Sequence, residues 1–373
     1  MALIFLESWD AIDTATEGSS HVNFENYTLR RSNAWQFGGG SGPELFSDYA
    51  FGNTGMCMMF GDDSAADNNY IEPHAMNGHA TYICGIAINP GLYLGADFGS
   101  EIVHTIQEWK NLSDGKTHMS VRMVDARHLL FERGTSYVAH VRNVLRPGIW
   151  NYLEVKITCS NTVGVIEVQV NGEEVLNETG LDTNNGGATD EFDTIRLKGI
   201  DGGNDDVNTY FDDWYICDGS GSNNNDFLGP IKIESLLPDA DGTYQEWNGY
   251  DNPDFSPTNH FDLVNAVPLT NDDDKVVYTA TSGDKDTYEI DDLSLINGTI
   301  FGIKLDFDGR NAGGSDTFKA LIISNTDESA SSAITIPTST YGLAPYAIFE
   351  TDPQGGGAFT AARINALESG VEK

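Results

Sequence analysis

Apolar and polar residues alternate along residues 150–157, WNYLEVKI, and a period of two is that of a strand with one face in a core. Residues 164–175 repeat the alternation and break it at Asn171-Gly172, a pair that accepts positive φ at both centres of a tight hairpin turn. Further alternating or continuous apolar runs recur at 56–60, 82–88, 102–109, 119–124, 128–132 and 137–141, after opening strands that carry Phe5, Trp9, Phe24, Tyr27 and Leu29. Short strands at such spacing, punctuated by loops as glycine-rich as 37–43, predict a β-sandwich.

The pattern is renewed after a break. Residues 228–238 read as an exit strand and 239–242, DADG, as a linker. Fresh strands follow near 276–280, 287–290, 299–307 and 317–324, which predicts a second, smaller β-domain. The expected domains are therefore residues 1–237 and 238–373. One short helix is predicted at 360–368, with Thr360 as N-cap and Gly370 as its stop, and with Ile364 and Leu367 on the face that meets the second sheet.

Composition narrows the function classes. A chain of 373 residues can bury two cores, and its 40 glycines suit a turn-rich all-β protein. The 57 acidic residues against 20 basic ones give a net charge of −37. That argues against nucleic acid, whose phosphates are neutralised by Lys and Arg. It suits a solvated surface that limits unplanned association. Cys57, Cys84, Cys159 and Cys217 form no C-x-x-C pair and lie in or beside apolar segments, so reduced, buried thiols are expected. Residues 1–6 are apolar but lack a basic flank and read as a first strand, not a signal peptide. No apolar run reaches the roughly 20 residues that cross a bilayer, so a soluble protein without membrane insertion is expected.

Catalytic patterns are incomplete. Glu191/Asp193 and Glu289/Asp291 each supply two acids at alternate strand positions, where a glycosidase pattern of the Glu-x-Asp-x-x-Glu type needs a third. His79, His104, His118, His128 and His140 are scattered, Gly-x-Ser-x-Gly is absent, and the glycine-rich loops lack the ending of a phosphate loop. No enzyme is expected. Calcium is the one cofactor left open, with Asp201, Asn204, Asp205 and Asp206 as candidate ligands beside a second acidic stretch at 271–274. Asp212 and Asp213 point to opposite faces of one strand, so one of them is expected to be buried and bonded to backbone.

The succession of residues 150–157, 164–175 and 211–218, FDDWYICD, resembles the later half of laminin-G-like, concanavalin A-type sandwiches. A narrower resemblance spans nearly the whole chain. Residues 1–10, 217–221, 225–230 and 364–371, in that order, are similar to segments of tailed-bacteriophage virion structural proteins that carry such a sandwich, except that Phe359-Thr360 stands where that family has Trp-Thr. The resemblance implies a laminin-G/concanavalin A-like sandwich followed by a smaller, jelly-roll-like one. It also implies a non-enzymatic virion subunit, made in the host bacterial cytoplasm and present in multiple copies or as a homo-oligomer. Such a subunit docks on other virion proteins, on the tail or adsorption apparatus in preference to the capsid, where it would be a decoration protein. An alternative is a carbohydrate-binding adhesin for host surface glycans, with Trp35, Trp109 and Trp247 as stacking candidates.

Overall fold

The computed structural model describes residues 2–9, 21–23, 35–38, 44–46, 50–53, 56–60, 70–73, 76–91, 103–198, 209–251, 259–265, 274–294, 297–311, 316–336 and 342–373. The protein is all-β. Its described residues divide into two compact units that part between Ile233 and Glu234.

The first unit contains two large antiparallel sheets. One runs β14 (Glu173–Leu181), β13 (Gly164–Val170), β12 (Asn151–Thr158), β7 (Thr81–Pro90), β16 (Thr209–Cys217), β5 (Cys57–Phe60), β4 (Glu44–Phe46), β2 (His21–Asn23), and β1 (Leu3–Glu7) also pairs with β16. The other runs β11 (Ser136–Val141), β10 (His128–Arg133), β9 (Lys116–Val124), β8 (Val103–Asn111), β15 (Thr194–Lys198), β6 (Tyr70–Pro73), β3 (Trp35–Gly38). Their inner faces share a core: Gln107 of β8 reaches Cys84 Sγ of β7 at 3.4 Å. Trp109, Trp214, Tyr82, Phe131, Phe192 and Phe211 are fully buried, and burying each large apolar side chain contributes roughly 1.5–3 kcal/mol. The expected hairpin is present, with Val170 opposite Glu173 and positive φ at both Asn171 and Gly172.

The second unit is built on a sheet ordered β17 (Pro238–Gln245), β20 (Lys285–Ile290), β26 (Leu367–Glu372), β22 (Thr317–Ser324), β23 (Asp327–Ala330), with β24 (Ile334–Thr335) pairing β22. Two strand pairs accompany it, β18 (Asn248–Asp251) with β19 (Lys275–Tyr278) and β21 (Ile303–Gly309) with β25 (Gly342–Phe349). Its core gathers Phe318, Ile322, Ile334, Phe349, Phe359, Ile364 and Leu367.

Three local expectations are corrected. The helix is a single turn, Ala361–Ile364, whose N-cap Thr360 accepts from Arg363 N as expected. Leu367 starts a strand instead of continuing the helix, and β26 lies between β20 and β22. Gly370 is not a helix stop: a Cβ there would overlap the Asp286 backbone oxygen, so glycine permits the close approach of two central strands. The segment 228–237 enters no ladder, and the expected linker 239–242 lies inside β17. Asp239-Ala240-Asp241-Gly242 carries turn-forming residues, but ladder bonds to β20 outweigh that local preference.

Candidate functional site

The two sheets of the first unit turn different outer faces away from their shared core. On β12 and β16 the outward residues Tyr152, Glu154 and Tyr215 are buried. Tyr215 lies over Gly85, where any Cβ would overlap its ring, and its hydroxyl donates to Glu154 Oε1 at 2.5 Å. Glu154 Oε1 also accepts Gly229 N at 2.8 Å, and Leu228 N donates to the Tyr215 hydroxyl at 3.1 Å. Further along, Ile233 N donates to Asp213 Oδ1 at 2.8 Å. Residues 228–233, which lie outside the ladders, are thus tied by side chains across this face. Burial raises the Glu154 carboxyl above its usual range, against the hydrogen bonds from Tyr215 and Gly229.

Asp212 and Asp213 are both buried, where one was expected. A bulge between Asp212 and Tyr215, with Asp213 at φ 45°, places an extra residue in the strand. Asp212 Oδ2 then accepts Phe51 N, and Asp213 bonds the crossing segment. Alternation assigns opposite faces only in an unbulged strand.

The outer face of the seven-stranded sheet is charged. In residues 194–198, TIRLK, Ile195 and Leu197 are fully buried in the core while Thr194, Arg196 and Lys198 point outward. Glu72 of β6 and Glu108 and Lys110 of β8 flank them. Arg196 clamps Glu72 through Nε at 2.6 Å and Nη2 at 3.3 Å, Thr194 donates to the same carboxylate at 3.3 Å, and the guanidinium lies 3.8 Å from the centre of the Tyr70 ring. Three cations surround Glu108: Lys110 at 3.8 Å, Lys198 at 3.8 Å and Arg196 at 3.9 Å. Lys110 also donates to Thr117 at 2.9 Å, and on the neighbouring strands Arg122 pairs with Glu132 at 3.0 Å. The charged side chains around Glu108 are recessed, Lys198 at 12% exposure and Glu108 at 19%. Burial lowers the Lys110 pKa despite Glu108 nearby. For Arg196 burial pulls the same way, but the bonds and charge of Glu72 outweigh it and raise the guanidinium further.

Other predicted residues lie apart. Trp109 is fully buried and packs edge-on against Phe192, so it cannot serve as a stacking platform. Trp35 falls on β3 opposite Pro73. Trp247 is half-buried in the second unit and donates from Nε1 to Asp284 O at 3.2 Å. Asp201, Asn204, Asp205 and Asp206 lie outside the described residues, as does the second acidic stretch apart from Asp274. Among the described residues, no group of three or more His, Cys, Asp or Glu side chains is placed to hold a metal ion. Glu191 is exposed while Asp193 accepts Leu112 N at 2.7 Å, and Glu289 is exposed while Asp291 accepts Leu237 N at 3.3 Å. In each pair the Asp serves a backbone amide. All four cysteines are free and buried, and burial pushes the Cys84 thiol up to about 12.

The second unit holds a buried polar network of its own. Asp286 accepts from His260 Nδ1 at 3.0 Å and from the Tyr288 hydroxyl at 2.6 Å. Burial raises its carboxyl, with both hydrogen bonds opposing.

Sequence reasoning passed over Tyr70, Glu72, Glu108, Lys110, Arg196 and Lys198. Alternation in TIRLK does put Arg196 and Lys198 on one face. Their meeting with Glu72 and Glu108 depends on the pairing of β15 with β6 and β8, which no local pattern encodes.

No protein-family model and no curated protein sequence matches the chain. Among solved structures it is similar to the receptor-binding domain of botulinum neurotoxin type G, at 13% identity over 96% of this chain and 81% of that one, with a TM-score of 0.36. An endo-1,3-β-glucanase from Streptomyces sioyaensis shares 12% identity over 58% of this chain and 96% of its own, at TM-score 0.38. The lectin UEA-II complexed with galactose shares 7% identity over 57% and 98%, at TM-score 0.33. All three scores are low.

Proposed function

We propose that the protein acts by binding, without catalysis, and that the outer face of its seven-stranded sheet recognises carbohydrate. The observation that carries this reading is the recessed row Glu72, Arg196, Glu108, Lys110 and Lys198 on a rigid sheet. Sugars are bound through many directed hydrogen bonds, and charged donors and acceptors fixed by neighbours supply them without ordering cost at binding. Glu72 is committed to Arg196 and Glu108 is ringed by cations, so neither carboxylate is set up as a general acid. Isothermal titration of host-surface polysaccharides should give binding without turnover. Release of reducing ends, abolished by Glu108→Gln, would refute the non-enzymatic reading.

The setting we propose is the particle of a tailed bacteriophage, at the tail or its adsorption apparatus, where a glycan-recognising subunit would meet the host. Support comes from the ordered resemblance of residues 1–10, 217–221, 225–230 and 364–371 to virion structural proteins. The strongly acidic composition suits a subunit that must stay soluble at high local concentration. Mass spectrometry of purified particles should find the chain in several copies. Its absence from particles, with presence in infected-cell lysate, would remove this setting and leave carbohydrate binding to stand alone.

A further inference from the structure

The loop that joins β14 to β15 is closed onto the first unit by a histidine. His118 of β9 is fully buried, and its Nδ1 accepts the backbone N–H of Asn185 at 3.2 Å. An acceptor at Nδ1 fixes the ring as neutral, with its proton on Nε2. Among the described residues that Nε2–H has no hydrogen-bond partner: Asp114 Oδ2 stands 3.8 Å away, beyond hydrogen-bond length. The loop lies directly on the ring, since a Cβ at Gly187 would come within 2.3 Å of His118 Cε1 and 2.5 Å of Asp114 Oδ2.

The loop keeps a shape of its own. Asn184 Oδ1 accepts Gly187 N at 2.6 Å, and Asn184 Nδ2 donates to Asp190 Oδ1 at 2.7 Å and to Thr189 O at 3.0 Å. Its ties to the β8–β9 hairpin run through the surroundings of the ring. Ala188 N donates to Asp114 Oδ2 at 3.3 Å, Asn185 Nδ2 to Thr117 O at 3.1 Å, and Lys116 Nζ to Asn185 O at 3.3 Å and to Gly186 O. Beyond them, Asn111 Nδ2 bonds Thr189 Oγ1 at 3.0 Å and Glu191 O at 3.2 Å. The charged groups that face the ring are Asp114 and Lys116 from the hairpin and Asp190 and Asp193 from the loop, and Phe192 meets it edge-on.

A proton on Nδ1 is incompatible with this arrangement. Two N–H groups would face each other across 3.2 Å, so the bond to Asn185 is lost and its amide is left without an acceptor. The charged ring has a better partner on its other side, where Asp114 carries the opposite charge. As Asp114 closes on Nε2, it competes with its own bond to Ala188 N. We infer that residues 184–190 form a latch, held shut by neutral His118 and released when that ring takes a proton and turns to Asp114. The release is local. Asn184 preserves the turn as it lifts, and Asp193, which accepts Leu112 N at 2.7 Å, keeps the far end pinned.

The test is hydrogen exchange of the full chain, read by mass spectrometry in steps from about pH 8 to about pH 5 and corrected for the intrinsic rate at each step. Peptides covering 184–190 should lose about tenfold in protection on acidification, as the loss of one buried hydrogen bond requires. Peptides from β12 and β13 should keep theirs. The ring nitrogen signals of His118 in magnetic resonance should titrate with the same midpoint as the loop. His118→Gln, whose side-chain oxygen can accept Asn185 N but binds no proton, should hold the loop shut throughout. Asp114→Asn should move the release to lower pH, because the charge that favours the protonated ring is gone. A loop that opens equally in the glutamine variant, or a ring that titrates while loop protection stays constant, would overturn the latch. So would protection lost evenly across β12 and β13, since that marks unfolding of the whole unit.

Discussion

The two outer faces of the first domain use the same kinds of residue to opposite ends. On the nine-stranded sheet, Glu154, Tyr215 and Asp213 spend their hydrogen bonds on backbone amides of the chain itself, at Gly229, Leu228 and Ile233. On the seven-stranded sheet, Glu108 meets three cations at ion-pair distance and Lys110 keeps donors to spare. A carboxylate bonded to main chain inside the protein is structural, and its loss exposes an unpaired buried group. A carboxylate among recessed cations is held by side-chain charge and leaves the main chain alone. The difference lies in what each group is bonded to, and burial alone does not reveal it.

The sharpest way to break the closed face is Gly85→Ala. The added methyl overlaps the Tyr215 ring and must expel it from its bond to Glu154, so a loss of about 3 kcal/mol is expected in denaturant unfolding followed by tryptophan fluorescence. A midpoint unchanged from the parent would mean that the crossing segment is not held by this face. Glu154→Ala should cost about 2 kcal/mol, since it strands the Gly229 amide and removes the acceptor of the Tyr215 hydroxyl. Hydrogen exchange at Leu228 and Gly229 should accelerate in the same variant.

Acid probes the core between the two faces. His118 is buried, accepts Asn185 N through Nδ1 at 3.2 Å, and has its pKa lowered by burial. A folded-state pKa below the unfolded value of about 6.5 stabilises the fold above that pH, and the contribution is lost as pH falls through the folded value. The first domain's midpoint should therefore drop as pH falls below the unfolded value of about 6.5, and His118→Gln should flatten the drop. A parallel fall in the variant would assign the acid sensitivity elsewhere. The smallest stability change is expected on the open face. Glu108→Gln and Lys198→Met should each stay within about 0.5 kcal/mol of the parent, and a larger loss would place Glu108 in the same structural class as Glu154.

The sequence made the strands of the first domain legible wherever one side is buried. Residues 164–170 alternate without a break, and Asn171-Gly172 names its own turn. It misled where a short segment satisfied two patterns. Ile364 and Leu367 are spaced for one helical face, and Gly370 has the look of a cap, yet neighbouring strands claim residues from Leu367 onward. Residues 228–237 carry the apolar content of a strand, but the amides of Leu228, Gly229, Ile233 and Leu237 go to side chains, and side-chain bonding leaves no periodic trace. The charged face was half legible: TIRLK shows that Arg196 and Lys198 share a side, while Glu72 and Glu108 come from strands more distant in sequence. Trp109 illustrates the converse, since a tryptophan suits a sugar platform and a core equally until its strand's inner face is known.

The position of β26 bears on the order in which the second domain can be made. β20 and β22 each pair with β26, so they remain unpaired on those sides until Leu367–Glu372 has been synthesised. At about 5–20 residues per second, β20 waits several seconds after leaving the ribosome with one edge open. In that interval its edge is a template for strands of other nascent chains. Lys285 and Glu289 on β20 and Lys319 on β22 put charges along the waiting edges, which disfavours premature pairing while the final strand is still being translated.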